Sequence, residues 1–208
     1  MKKTVSEISC FTNFFQPSRP VLCATKNADG SDHLAPFSWF NPVSYAPPII
    51  MISISSQPNA SHSLHNIHRT REFSINFLQN AYADRLLAAA FPAEGENKFD
   101  RSEFARETCS EINVCAVKES LAFLECRVRE IHSFGETDTV IADVLAASYD
   151  EAVFTPPKML VNLKNYDPIF HMDQYDHSDY QLHTLLSVGR EYVADVPYPS
   201  FGEEGDPL

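Results

Sequence analysis

Between Leu34 and Ser56 the chain reads LAPFSWFNPVSYAPPIIMISISS, an irregular aromatic and hydroxyl-rich run that closes on a dense apolar strand. Pro36, Pro42, Pro47 and Pro48 lack the N–H that a sheet ladder needs, so Phe37 to Tyr45 cannot be an ordinary central strand throughout. A strand broken in this way leaves backbone N–H and C=O groups in need of partners. A flat heteroaromatic ring edged with donors and acceptors would supply them, and Trp39 and Phe40 offer apolar faces to such a ring.

The rest of the chain reads as strands and short helices arranged around this stretch. Pro20 to Thr25 is a first strand, Asn27-Ala28-Asp29-Gly30 the turn after it, and His33 to Ala35 the start of the return. Ile49 to Ser55 alternates, with Ile50, Ile52 and Ile54 on one face and Met51, Ser53 and Ser55 on the other. A helix follows over about Ser61 to Thr70, capped by Asn59 or Ser61, with Leu64 and Ile67 on its buried side. Glu72 to Leu78 is a second clear strand, with Phe73, Ile75 and Phe77 inward and Ser74 and Asn76 on the opposite face. Asn80 then caps a helix from Ala81 to Phe91 with a stripe of Ala83, Leu86, Leu87 and Ala90.

Glu94 to Ser120 is polar and mixed, which predicts a loop with at most one short helix. Leu121 to Ile131 is a half-exposed strand, with Leu124, Cys126 and Val128 inward and Glu125, Arg127 and Arg129 outward. Thr139 to Ala147 is almost wholly apolar and is expected in the core, Asp143 excepted. These elements make one domain over residues 1–194, with residues 1–17 as a lead-in whose Phe11, Phe14 and Phe15 should dock on the body or on a partner subunit. Residues 195–208 form an acidic, proline-rich tail.

Composition narrows the possibilities. A formal net charge of −12 excludes the basic patch that nucleic acid requires. No apolar run approaches the roughly 18 residues of a membrane span, and no apolar region follows the two N-terminal lysines as in a signal peptide. Cys10, Cys23, Cys109, Cys115 and Cys126 are odd in number and form no CxxC, which fits reduced structural thiols in a cytoplasmic protein. His62, His65 and His68 drift around their helix and make a poor facial triad for a metal. The only other candidate ligand group is His171, Asp173, Asp176, His177 and Asp179, and it reads better as a solvated face than as a metal site.

The ordered series Arg19-Pro20, Leu34-Ala35-Pro36-Phe37-Ser38-Trp39-Phe40-Asn41, Pro47-Pro48 and Phe73-Ser74-Ile75-Asn76-Phe77 resembles the flavin reductase-like family. The match is close over roughly residues 18–90 and looser to about 192. The resemblance implies a mainly β fold, an antiparallel Greek-key split β-barrel with flanking helices that binds FMN, assembled as a homodimer. It also implies hydride transfer from NAD(P)H to flavin, with electrons passed to a monooxygenase, ferric iron or another acceptor. No dinucleotide fingerprint is present, and this family lays the nicotinamide against the flavin without one.

For the ring, the resemblance points to Ser38, Trp39, Phe40, Asn41 and Asn76; His171, from the residues alone, is a candidate flavin-side or catalytic group. For the phosphate, the residues themselves point to a helix N-terminus bearing Ser61, His62 and Ser63, approached by Ser53 or Ser55. Here the chain departs from relatives that begin this helix with Lys-Asp-Thr, and His62, Arg69, Arg71 or a partner's cation would have to replace that lysine. Near the later strand, where many relatives carry Gly-Asp-His, the stretch here is Gly135-Glu136-Thr137-Asp138-Thr139 without the histidine, and Pro168 to Asp173 replaces a later family segment. Two other readings therefore stay open: a non-enzymatic FMN-binding electron carrier, and a split-barrel binding module that has lost flavin.

Overall fold

The computed structural model describes residues 4, 8–57, 61–90, 97–162, 164–175 and 181–186. Its main body is one seven-stranded antiparallel sheet in the order β2-β1-β5-β8-β9-β4-β3. The strands are β1 (Val21–Lys26), β2 (Asp32–Phe37), β3 (Phe40–Tyr45), β4 (Pro48–Ser55), β5 (Glu72–Phe77), and the long β8 (Ala122–Phe134) and β9 (Thr137–Tyr149). β2 and β3 stand at opposite edges of this order, yet only Ser38 and Trp39 separate them in the chain. Three Cα steps span at most about 11 Å. The sheet must therefore curl until its edges meet, which gives a barrel split along the β2/β3 seam.

The proline-rich stretch is thus an edge strand, as the missing ladder donors require. β3 pairs only with β4 and carries a bulge between Pro42 and Ser44. The alternation expected on β4 is present, with Ile50, Ile52 and Ile54 buried inside the barrel. Each such side chain contributes roughly 1.5–3 kcal/mol through burial. They meet Val21, Cys23, Phe73, Ile75 and Cys126 in one core. Helix α1 (His62–Thr70) closes that core with Leu64 and Ile67.

A second core lies on the outer face of β1, β2 and β5. Leu22, Ala24 and Leu34 pack there against Leu86 and Ala89 of α2 (Ala83–Ala90) and Phe99 of the four-residue α3 (Lys98–Arg101). Ser74 and Asn76 point to this side as expected, but both are fully buried. Ser74 Oγ donates to the Cys115 carbonyl at 2.8 Å, and the Val117 N–H donates to Asn76 Oδ1 at 2.8 Å. These bonds hold the segment ending in β7 (Ala116–Val117), paired with β6 (Arg106–Glu107), against the barrel wall. Residues 97–120 therefore carry more order than a polar loop: a short helix and a two-stranded ribbon.

Other expectations change too. Glu125 points outward as expected, on the face it shares with its strand partner Ser74, but it is buried there beneath residues 110–111. Its carboxylate accepts from the Ser110 N–H at 3.0 Å and the Glu111 N–H at 2.6 Å, so burial is compensated. β9 is not wholly in the core: Asp138, Val140 and Ala142 are buried, while Leu145 and Tyr149 are exposed. The helix expected from Ala81 begins as a 3₁₀ turn, Asn80–Tyr82, before α2. Phe11, Phe14 and Phe15 lie on a 3₁₀ segment and stay exposed rather than docking on the body.

Two small hairpins complete the described chain: β10 (Phe154–Thr155) with β11 (Leu160–Val161), and β12 (Phe170–Tyr175) with β13 (Gln181–Leu186). Expectations for Asn59, the end of the α2 segment at Phe91, Asp176, His177, Asp179, residues 187–192 and the tail fall outside the described residues.

Candidate functional site

The seam of the barrel and the start of α1 face each other across a cavity of about 380 Å³. That volume lies within the roughly 300–1,000 Å³ of small-molecule sites. Phe37 and Ser38 come from the seam, Ser61 from the cap of α1, Leu86, Leu87 and Ala90 from α2, and His171 from β12. His171 reaches this point because its backbone pairs with Ser18: the Ser18 N–H donates to the His171 carbonyl at 2.9 Å, and the His171 N–H returns a bond at 2.8 Å. Its Nδ1 then lies 2.9 Å from Ser38 Oγ. The result is an apolar cavity with a few converging polar groups, the composition that orients a ring without flooding it with water.

Ser61 brings the N-terminal end of α1 to this cavity, which His62 and Ser63 of the first turn do not line. Ser61 has extended backbone and its Oγ accepts from the Leu64 N–H at 3.2 Å, an N-cap as the sequence predicts. That leaves the first-turn N–H groups of His62 and Ser63 pointing out of the helix end. Ser63 is fully buried and its Oγ has no hydrogen-bond partner. A buried hydroxyl without a partner costs about 1–3 kcal/mol, so its presence calls for an explanation.

The expected site residues thus divide. Ser38, Ser61 and His171 share the cavity. Trp39, 51% exposed, stands in the seam with its carbonyl accepting from the Ser53 N–H at 2.9 Å. Phe40 packs on the core, its ring 5.8 Å from Phe77, and Asn41 is exposed on the edge strand. Ser53 Oγ meets Thr139 Oγ1 at 2.9 Å on the sheet face, while the exposed Ser55 donates to the Gln57 carbonyl at 3.2 Å. His62 is exposed at the first position of α1. Asn76 is buried beneath the sheet, donating to the Leu22 carbonyl at 3.1 Å as well as accepting from Val117, and does not line the cavity.

Arg69 and Arg71 do not reach the phosphate end. They lie near the other end of α1, about 10 Å along the axis at 1.5 Å per residue. Arg69 donates to the Lys26 carbonyl, and Arg71 to the Arg129 carbonyl at 3.3 Å. Leu86, Leu87 and Ala90, expected only as a core stripe, supply cavity wall, which one helix's periodicity cannot reveal because the opposing surface is distant in sequence.

On the other side of α1 a second hollow, of about 330 Å³, is lined by Ser56, His65, His68 and Asp138 among others. His68 Nε2 lies 3.3 Å from Asp138 Oδ2. Burial pushes the Asp138 carboxyl up, but hydrogen bonds from Ser133, His68 and Ser56 together hold it below the usual carboxylate range. Asp138 lies at the start of β9, and its carboxylate ties that strand to α1 through His68.

The thiols are poorly suited to redox work. Cys23, Cys109, Cys115 and Cys126 are free. Burial, with neighbouring carboxylates, pushes Cys109 and Cys115 each up to about 12, leaving them protonated at neutral pH. Among the described residues, no three His, Cys, Asp or Glu side chains group as metal ligands, and no helix is long and apolar enough to cross a membrane.

A family model described as the flavin reductase like domain matches residues 16–169. The chain belongs to the flavin reductase-like family. It is 26% identical over 156 residues to an uncharacterized protein of Aquifex aeolicus, covering 73% of this chain and 79% of that one. Among solved structures it resembles nitrilotriacetate monooxygenase component B from Bacillus cereus, with a TM-score of 0.77 at 17% identity, over 93% of this chain and 98% of that one. Flavoredoxin of Desulfovibrio vulgaris (Miyazaki F) aligns with a TM-score of 0.73 at 18% identity, over 95% and 98% of the two chains. The split-barrel fold and a flavin reductase-like oxidoreductase class follow.

Proposed function

We propose that this flavin reductase-like protein binds FMN in the seam cavity and transfers hydride from NAD(P)H to it, passing electrons on to a monooxygenase or another acceptor. The observation that carries this reading is the cavity of about 380 Å³ between the β2/β3 seam and the first turn of α1. The donor set suits the group. Ser61, the outward N–H groups of His62 and Ser63, and the orphan Ser63 hydroxyl would hold a phosphate. Leu86 and Leu87 would cover an apolar ring face, and the Ser38–His171 pair would meet a polar ring edge. When bound, FMN supplies the two-electron acceptor and donor chemistry; the protein orients it and excludes water.

A homodimer completes the reading. Phe11, Phe14, Phe15, Trp39, Tyr45 and Phe134 are all exposed, a large amount of aromatic surface for a lone chain to leave in water. The free thiols fit a reducing, cytoplasmic setting.

Absorbance of the purified protein after FMN loading and desalting tests the proposal: retained flavin bands that bleach on anaerobic NAD(P)H addition support it. Protein that returns colourless overturns it. A second reading, a flavin-binding electron carrier without its own NAD(P)H reaction, is favoured by the hairpin in which Asp138 is engaged by His68 and the family histidine is missing. Flavin bands that bleach with dithionite but not with NAD(P)H would select it.

A further inference from the structure

Near the first turn of α1, two histidines and a lysine gather, and among the described residues none of them pairs with an acid. His33, on β2, is buried, and its ring lies 5.8 Å from that of His62, the first residue of α1. Lys98, the first residue of α3, is partly buried, and its charge bears directly on His33. Asn97 Nδ2 donates to the Asp32 carbonyl at 2.8 Å, which fastens the start of α3 to the strand that carries His33.

The nearby carboxylates are engaged elsewhere. Asp32 is held by Lys26 Nζ at 2.7 Å and Arg106 Nε at 2.9 Å, and Asp100 by Arg106 at 3.1 Å. Arg101, on α3, adds a further positive charge beside Lys98. Among the described residues no carboxylate forms an ion pair with His33, His62 or Lys98. In the same first turn stands Ser63, fully buried and without a hydrogen-bond partner. An apolar packing role does not account for a buried hydroxyl, two histidines and a lysine around one helix N-terminus; an anion does.

We propose that His33, His62 and Lys98 form the cationic seat for the phosphate of the bound flavin at the first turn of α1, in place of the lysine that this chain lacks at Ser61. The proposal rests on the flavin reading above and assigns the charge that reading left unplaced. It also makes phosphate recognition adjustable by pH. His33 is held neutral, at about 4, by burial and by the charges of Lys98 and His62. A dianion beside it stabilises the protonated imidazole, so binding takes up a proton at His33 as pH falls and offsets the phosphate's own protonation at about pH 6.

The test compares FMN with riboflavin, which differs only in lacking the phosphate, by flavin-fluorescence titration of the full-length chain. Lys98→Met should weaken FMN about ten-fold while leaving riboflavin unchanged, and Lys98→Arg should restore FMN. From pH 8 to pH 6 the phosphate loses its second charge at about pH 6, so the wild type should lose less of its preference for FMN than His33→Asn does. Unchanged riboflavin affinity also shows that each variant is folded. Riboflavin and FMN weakened alike, or FMN unaffected by Lys98→Met, would overturn this seat while leaving the flavin reading intact. Failure of the wild type to bind either flavin would overturn both.

Discussion

The two ends of α1 are built to opposite standards. At its C-terminal end three polar groups in a row find protein partners: Thr70 Oγ1 donates to the Asn66 carbonyl at 2.9 Å, Arg69 to the Lys26 carbonyl, and the Arg71 N–H to the Ile67 carbonyl at 2.9 Å. Arg71 even adopts a left-handed backbone, φ 60°, to make that cap. At the N-terminal end a buried hydroxyl lacks a partner, and among the described residues the basic groups nearby pair with no acid. A chain selected for stability alone would satisfy both ends. Unsatisfied groups confined to one end mark where a ligand completes the structure, and local rules fail where function is added.

The middle of the helix gives the largest expected effect. Ile67 is fully buried in the barrel core, so Ile67→Ala should cost about 2–5 kcal/mol in chemical denaturation. Well below the unfolding transition its flavin affinity should match the wild type, because the helix body serves both ends equally. A large loss of affinity in the folded variant would show that the ends are coupled through the core.

Acid should act through the N-terminal end. His33 is shifted from an ordinary 6.5 down to about 4. Between those values the unfolded chain binds a proton that the folded chain refuses, so stability is full above pH 6.5 and falls as pH drops toward 4. With solvent screening the loss is about 2 kcal/mol. Denaturation midpoints measured from pH 7 to 4.5 should show this slope, and His33→Gln should flatten it. A slope unchanged in His33→Gln would assign the acid sensitivity elsewhere.

The same contrast explains what could be read in the sequence. Where local periodicity and a buried core agree, as at Ile50, Ile52 and Ile54 or at the Ser61 cap, the residues announce their own structure. The seam was legible because Pro36, Pro42 and Pro47 forbid a central ladder. The burial of Glu125 was not, since the segment that covers its outward face, residues 110–111, leaves no mark on the periodicity of its own strand. β9 misled because an apolar strand was equated with a buried one, although Leu145 and Tyr149 lie at its exposed end. His171 was legible only as a titratable residue in a His- and Asp-rich stretch, and its place beside Ser38 depends on a backbone bridge from Ser18, 153 residues away. His33 and Lys98 carry no motif at all; only the packing of α3 on β2 brings them to α1.

Ser63→Ala separates ligand from fold. Removing a hydroxyl that meets no protein partner should leave stability unchanged or raise it by up to about 1 kcal/mol. FMN affinity should fall by about 1–2 kcal/mol, the usual loss for a hydrogen bond to a charged oxygen. A variant less stable yet unchanged in FMN binding would show that Ser63 serves packing, and the asymmetry between the ends would lose its main support.

Arg71→Ala should give the smallest effect and the mirror image. Its guanidinium bonds to the Val128 and Arg129 carbonyls at 3.5 and 3.3 Å are long and solvent-facing, so their loss should cost about 1 kcal/mol of stability or less. FMN affinity should stay the same, because the side chain joins α1 to β8 at the end remote from the cavity. If FMN binding weakened while riboflavin binding held, the phosphate would be gripped from the C-terminal side. The satisfied end would then be the functional one, and the unpartnered Ser63 would need another account.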